Sequence, residues 1–288
     1  MMIRTLIRNR NARVGIAVVL ALVAATVFGP LVAGDPLAYL GIPHQPPSAA
    51  HLFGTTGQGQ DVLAQTLVGG QRTLLVGFVT GAITVAIGAL AGGLAGYLGG
   101  WVDDGMTLLV NVFLLLPGLP LMVVLAAWLP PGPMTMTAVL VLTGWAWHAR
   151  VLRSQVRTLS RRDWVQAAVV TGESSLRILV VEILPNMASL IASSFIGATV
   201  YAIGAQVGLE FLGLGDAAVV TWGTNLYWAA NDAALLTGAW WTFVPTGTAV
   251  ALTAFGLTLI SFGIDEITNP RLATATGAPV PTPVVRDV

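Results

Sequence analysis

The chain has 288 residues, 55% hydrophobic and only 9% charged, with a formal net charge of zero and a mean hydropathy of +0.81. Soluble domains carry about 25% charged residues, so this composition excludes an ordinary soluble protein, and zero net charge argues against a nucleic-acid partner. Cysteine is absent and all thirteen basic residues are arginine, which excludes disulfides, thiol chemistry, cysteine metal sites and a P-loop, whose phosphate cradle needs lysine.

Residues 1–13 hold Arg4, Arg8, Arg10 and Arg13 and read as cytoplasmic by the positive-inside rule. The apolar run from Val14 to Gly34 is long enough to span a bilayer. A cleaved signal peptide would have an apolar region of about 7–15 residues and an A-x-A-like site; this run is longer and ends in Val-Ala-Gly-Asp-Pro. Residues 35–72 form a Pro- and Gly-rich outside loop. It contains His44 and His51 but no third ligand, a poor basis for a metal site. The second span is expected from Thr73 to Tyr97. Its Gly77, Gly81, Gly88, Gly92 and Gly96 recur at four-residue spacing, putting small residues on one face for another helix to approach. A turn with Trp101, Asp103 and Asp104 leads to a third span, Gly105 to Leu129. Pro117 and Pro120 should kink that span, as a gate or as a structural bend. Pro130, Pro131 and Pro133 make an outside turn, and the fourth span is expected from Met134 to Ala149.

The segment 150–185 breaks the apolar pattern. Arg150, Arg153, Arg157, Arg161 and Arg162 precede Asp163, Glu173, Arg177 and Glu182. A charge at the bilayer centre costs about 2.5–3.5 kcal/mol even on the mildest scale, so this segment lies outside the membrane, on the cytoplasmic side. Two short helices joined at a corner are expected. Asp163 is the candidate cap of the first, with Gln166 three residues later as in a capping box. Ala167 and Ala168 favour helix, and Gly172 suits the left-handed position that ends one. Ser174 or Ser175 can cap a second helix running to Leu184, with Pro185 as the next break. The result is a projecting knuckle with a small-residue docking face. A fifth span is expected from Asn186 to Glu210, an outside loop rich in Trp and Gly to Ala239, and a sixth span from Trp240 to Phe262. The tail 273–288 is Pro- and Thr-rich and reads as disordered. Six spans put both termini inside and divide the arginines twelve inside to one outside, Arg72 being the exception.

Enzymatic readings are weak. Neither H-E-x-x-H nor G-x-S-x-G is present. Gly213-Leu214-Gly215-Asp216 spells the G-x-G-D of intramembrane aspartyl proteases, but that chemistry needs a second Asp sharing a proton, and the spans offer none. Asn111, Pro117, Gln206 and Glu210 are the candidate path residues, since intramembrane polar groups commonly face a cavity; Glu210 at the membrane interface is the competing reading. An ion-coupled secondary transporter would carry intramembrane charges and two matching half-repeats, and neither is visible.

Gln166-Ala167-Ala168, Gly172 and Leu184-Pro185 fall at the spacing of the EAA loop of ABC-importer permeases, which the chain resembles; Gln166 and Glu182 depart from the usual Glu and His. His51-Leu52-Phe53-Gly54-Thr55 through Asp61-Val62-Leu63, and Leu209-Glu210-Phe211-Leu212-Gly213-Leu214-Gly215, resemble the second permease subunit of dipeptide and oligopeptide importers. Asp265 to Leu272 resembles that family's D-x-x-x-D-P-R-L ending, with Asn269 for the second Asp. The resemblance covers roughly residues 50–272. It implies an all-α polytopic membrane protein with six transmembrane helices, the type I ABC-importer permease fold and cytoplasmic coupling helices. It assigns ATPase docking to Asp163, Gln166, Ala167, Ala168, Gly172, Glu173, Ser174 and Ser175. The implied partners are a second permease, two ATPase subunits that bind ATP and Mg, and an extracytoplasmic binding protein, in a bacterial cytoplasmic membrane. No cofactor or metal is expected in this chain, and it is not expected to be an enzyme. Nickel, haem and opines are alternative cargoes within the family.

Overall fold

The computed structural model describes residues 9–268, and no strand occurs among them. The arginines Arg4 and Arg8, the tail from residue 273 and the second half of the Asp265–Leu272 motif, residues 269–272, lie outside the described residues.

The molecule is built around α2, Val62–Leu98, a 37-residue helix about 55 Å long. Asp61 starts it, its Oδ1 accepting from the Ala64 N–H at 2.9 Å. The helix begins eleven residues before the expected Thr73. Its first turns carry Gln65 and Thr66 and are covered by protein: Trp222 donates through Nε1 to the Thr66 carbonyl at 2.9 Å, and Asn225 Nδ2 donates to the Gln65 carbonyl at 3.0 Å. Both partners sit on α8 (Trp222–Asn231), a helix inside the expected outer loop, with a capping box of Thr221 and Thr224.

The glycine stripe of α2 serves two neighbours rather than one. Gly77 and Gly81 lie against Ile203 and Thr199 of α7 (Ala188–Phe211), whereas Gly88, Gly92 and Gly96 lie against the backbone of α5 (Pro133–Leu159). At 3.6 residues per turn each four-residue step rotates the stripe by about 40°, so it winds from one partner to the other.

α1 (Arg10–Phe28, continued by a turn at Pro30–Ala33) packs on the last helix, α9 (Val244–Thr268). A Cβ on Gly15 would meet the Gly256 carbonyl at 2.5 Å, so the two backbones touch. Asn9 Nδ2 adds a 2.6 Å hydrogen bond to Glu266.

The expected third span is two helices, α3 (Gly100–Leu115) and α4 (Gly118–Trp128), set at 83°. Pro117 makes the break, holding Leu116 extended at ψ 135° as residues before proline are held. Pro120 does not kink anything: it sits in the first turn of α4, where its missing N–H is no loss. α5 runs ten residues past Ala149. Its arginines have partners on α3: Arg150 donates to Asn111 at 2.6 Å, and Arg153 forks onto the buried Asp103, one arm at 2.7 Å.

Among the described residues, four stretches are long and apolar enough to cross a membrane: Arg10–Ala33, Val62–Leu98, Ala188–Phe211 and Trp240–Glu266; the α3–α4 pair makes a fifth if it acts as one bent span. α5 does not meet that standard of apolarity, although at about 40 Å it has the length. The loop 34–61 folds over the N-terminal end of α2. His51 Nδ1 meets Asp61 at 3.0 Å, and Trp241 Nε1 donates to the Thr55 carbonyl at 3.2 Å.

Candidate functional site: a helical knuckle and an interhelical groove

At the far end of α2 from that cap, α6 (Asp163–Val170) forms the first arm of the expected knuckle. The cap is Arg162, not Asp163, and no side chain closes it. Asp163 is instead the first helical residue, where a carboxylate suits the helix dipole. Gln166 makes no capping box either. Its amide donates to the Ser160 carbonyl at 2.9 Å, binding the end of α5 to α6.

The corner follows local stereochemistry. Gly172 has φ +83°; its N–H donates to the Val169 carbonyl at 3.0 Å and the Glu173 N–H to the Ala168 carbonyl at 3.2 Å, the paired bonds of a Schellman ending. Glu173 pairs with Arg177 at 3.0 Å. Ser174 and Ser175 are exposed, and Ser174 opens the second arm without a side-chain cap.

That second arm passes through Pro185 rather than ending at Leu184. It comprises Ser175–Arg177, a wide π-helical turn Ile178–Ile183, and Leu184–Asn186, with the break at Met187. The π turn bonds Leu184 N–H to the Leu179 carbonyl, so the register has already shifted before the proline. Asn186 Nδ2 donates to the Glu182 carbonyl at 2.7 Å.

The two arms clasp a core of Leu152, Val156, Val165, Ile178, Leu179 and Ile183. Val165 is fully buried and Ala168, three residues on, packs half-buried on the same core. Ala168 thus faces its own chain, not outward as expected, because residues three apart share a helix face. Ala167 and Gly172 are exposed. Beside them lie apolar side chains that sequence reasoning missed, Val170 at 85% exposure and Leu176 at 64%. The only hint of them in sequence was the valine pair Val169-Val170 in an otherwise polar corner.

Between α2, α5 and α7 lie two neighbouring chambers that share no lining residue. The outer one, about 300 Å³, is lined by Arg72, Gln206, Glu210, Asp216 and Thr221 among others. The inner one, about 390 Å³, takes Thr80, Thr84, Trp147, His148 and Tyr201 into its wall. Gln206 and Glu210 are therefore brought together, and both are buried. Thr221 Oγ1 donates to Glu210 at 2.6 Å and Gln206 Nε2 at 2.9 Å. Gly215 and Gly223 press so closely on Glu210 that neither has room for a Cβ. Glu210 anchors the loop into α8 while lining a cavity. Asn111 and Pro117 line neither chamber. Asn111 is held by Arg150, and Pro117 stands exposed at the α3–α4 break. No group of three or more metal-ligating side chains occurs among the described residues.

These features define a multi-pass helical membrane protein with a folded cap at one end and a helical knuckle at the other. Residues 85–274 match the family described as binding-protein-dependent transport system inner membrane component, and residues 1–50 match the N-terminal transmembrane domain of oligopeptide transport permease C. The chain is 32% identical over 274 residues to the dipeptide transport system permease protein DppC of Bacillus subtilis (strain 168), across 93% of this chain and 84% of that protein. It is 29% identical to the oligopeptide transport system permease protein OppC of the same organism, across 92% and 87%. With the OppC of Mycobacterium tuberculosis (strain ATCC 25618 / H37Rv) it shares 32% identity across 94% of both chains. The chain belongs to the binding-protein-dependent inner-membrane permease family of ABC importers. It is a transport subunit and not an enzyme.

Proposed function

We propose that this chain is one of two permease subunits of an ATP-driven importer for dipeptides or oligopeptides. The observation that carries the reading is the knuckle: two arms closed at Gly172, braced by a core of their own, with Ala167, Val170 and Leu176 facing outward. An exposed apolar patch on a braced element is a docking surface. The names of the relatives support a peptide cargo. In this reading α1, α2, the α3–α4 pair, α5, α7 and α9 make six spans, with both termini and the knuckle in the cytoplasm. Two ATPase subunits bind ATP and Mg and close on one another; the knuckles move with them. The spans then alternate between outward and inward access, and an extracytoplasmic binding protein delivers the cargo.

Ala167→Arg tests the docking role, because Ala167 is exposed and its replacement leaves the braced core intact. Membrane abundance should stay near normal. Peptide uptake should fall about tenfold or more, as overpacking an interface costs about 1–3 kcal/mol, with ATPase subunits lost on purification or insensitive to loaded binding protein. Normal uptake with stoichiometric ATPase would remove the docking role from the knuckle.

A further inference from the structure

The two chambers are in register along the same three helices. On α2 the lining passes from Arg72 and Val76 to Thr80 and Thr84; on α7 it passes from Gln206 to Ala202 and Ala198. Twelve residues separate Arg72 from Thr84, about 18 Å of helix.

Three of their side chains are deeply buried yet polar: Thr80 at 2% exposure, Thr84 at 3% and Gln206 at 1%. Thr80 Oγ1, Thr84 Oγ1 and Gln206 Oε1 have no hydrogen-bond partner in the protein. Threonines inside helices ordinarily bond back to a carbonyl one turn earlier, as Thr66, Thr199 and Thr253 do here. Thr80 and Thr84 do not. Buried polar groups left without partners are costly, and two in the inner chamber with a third in the outer one indicate a ligand with donors and acceptors at intervals.

We propose that the two chambers together form a transit site for the main chain of the transported peptide, held extended. A hydroxyl both donates and accepts, so Thr80 and Thr84 can take either an amide N–H or a carbonyl of the cargo. Gln206 Oε1 can take an N–H. An extended chain presents these groups at about 3.3 Å per residue whatever its side chains, so hydroxyl recognition suits cargo of varied sequence. Glu210 is a positioning residue: it accepts from Gln206 Nε2 and thereby leaves the amide oxygen free for cargo. The inference rests on the peptide reading above.

The test uses the complete importer in proteoliposomes, with its binding protein and labelled trialanine. The pair Thr80→Val with Thr84→Val keeps the shape and removes both hydroxyls; kcat/KM for uptake should fall about tenfold. The pair Thr80→Ser with Thr84→Ser should stay within about twofold, since the hydroxyls remain. The thermal midpoint of the Val pair should be unchanged or higher, because no internal bond is lost. Gly197 lines the inner chamber with open space where a Cβ would go. Gly197→Cys, in a chain without other cysteines, should react with a small thiol reagent, and trialanine in turnover should slow that reaction. A Val pair that transports like the wild type overturns the proposal. Labelling that is absent, or that trialanine leaves unchanged, assigns the chambers to lipid or the second permease and overturns it equally. A wild-type complex that takes up no trialanine removes the peptide reading itself, and this inference with it.

Discussion

Gly172 shows how one residue can carry a shape. Apart from its own residue and its two chain neighbours, no atom lies within 4 Å of the point where its Cβ would be, so any substitution is judged by backbone alone. At φ +83° a β-branched residue adds about 1–3 kcal/mol of strain, whereas Asn tolerates the left-handed region. Gly172→Val is expected to lower uptake at normal membrane abundance, and Gly172→Asn to retain most of it. Uptake and quantitative immunoblotting on the two variants decide the matter: equal losses would show that the backbone angle is not the cause. Asp232, in the folded cap, has its carboxyl pushed above the usual carboxylate range by burial, an effect that His44 opposes. The folded cap therefore holds this proton more tightly than the unfolded chain. That contribution to stability is complete below about pH 3.9 and is lost as pH rises through the raised value. Asp232→Asn should flatten this dependence, read as hydrogen exchange of residues 231–242 across that pH range; an unchanged slope would count against it.

Elements meet here through bare backbone and through one ion-pair cluster. Gly92 has no room for a Cβ because the Ala149 carbonyl of α5 already occupies that space. Gly92→Val must push α2 off α5, at about 1–3 kcal/mol or more for an overpacked contact. Membrane abundance should drop, unlike in the knuckle variants. The α2–α3 turn is tied to α5 by Asp103, which takes the Arg153 fork and lies 3.6 Å from Arg157. Hydrogen bonds to charged groups contribute about 1.5–3 kcal/mol. A double-mutant cycle with Asp103→Ala and Arg153→Ala, read by unfolding in detergent, should show coupling of about 0.5–3 kcal/mol. A coupling of zero would mean that the two side chains merely lie near each other.

At the scale of the whole molecule, α2 separates two ends by about 55 Å, well beyond a hydrocarbon core of about 30 Å. Ser48 and Asn231 lie at the cap end, where the loop 34–61 meets residues 231–242; Ser174 lies on the knuckle. All three are exposed. In intact cells an impermeant thiol reagent should label Ser48→Cys and Asn231→Cys but not Ser174→Cys. Labelling of the last from outside would invert the proposed orientation.

Much of this organisation was written in contiguous residues. Bilayer solvation and backbone sterics act locally, so hydropathy located the runs that became α1, α7 and α9, and one glycine at 172 located the corner of the knuckle. The EAA-like spacing added a family, which the matched profile and relatives bear out. Other features depended on partners distant in sequence. α2 starts at Val62, where Trp222 and Asn225 cover the carbonyls of Thr66 and Gln65, and α5 reaches Leu159 as Asn111 and Asp103 receive its arginines. Ala168 turns inward because Val165 beside it fills a core shared with the second arm, and Gln166 reaches Ser160 in place of a cap. The chambers were invisible for the same reason. Their walls come from residues more than a hundred positions apart, and a threonine without a partner looks in sequence like any other threonine until three helices are set side by side.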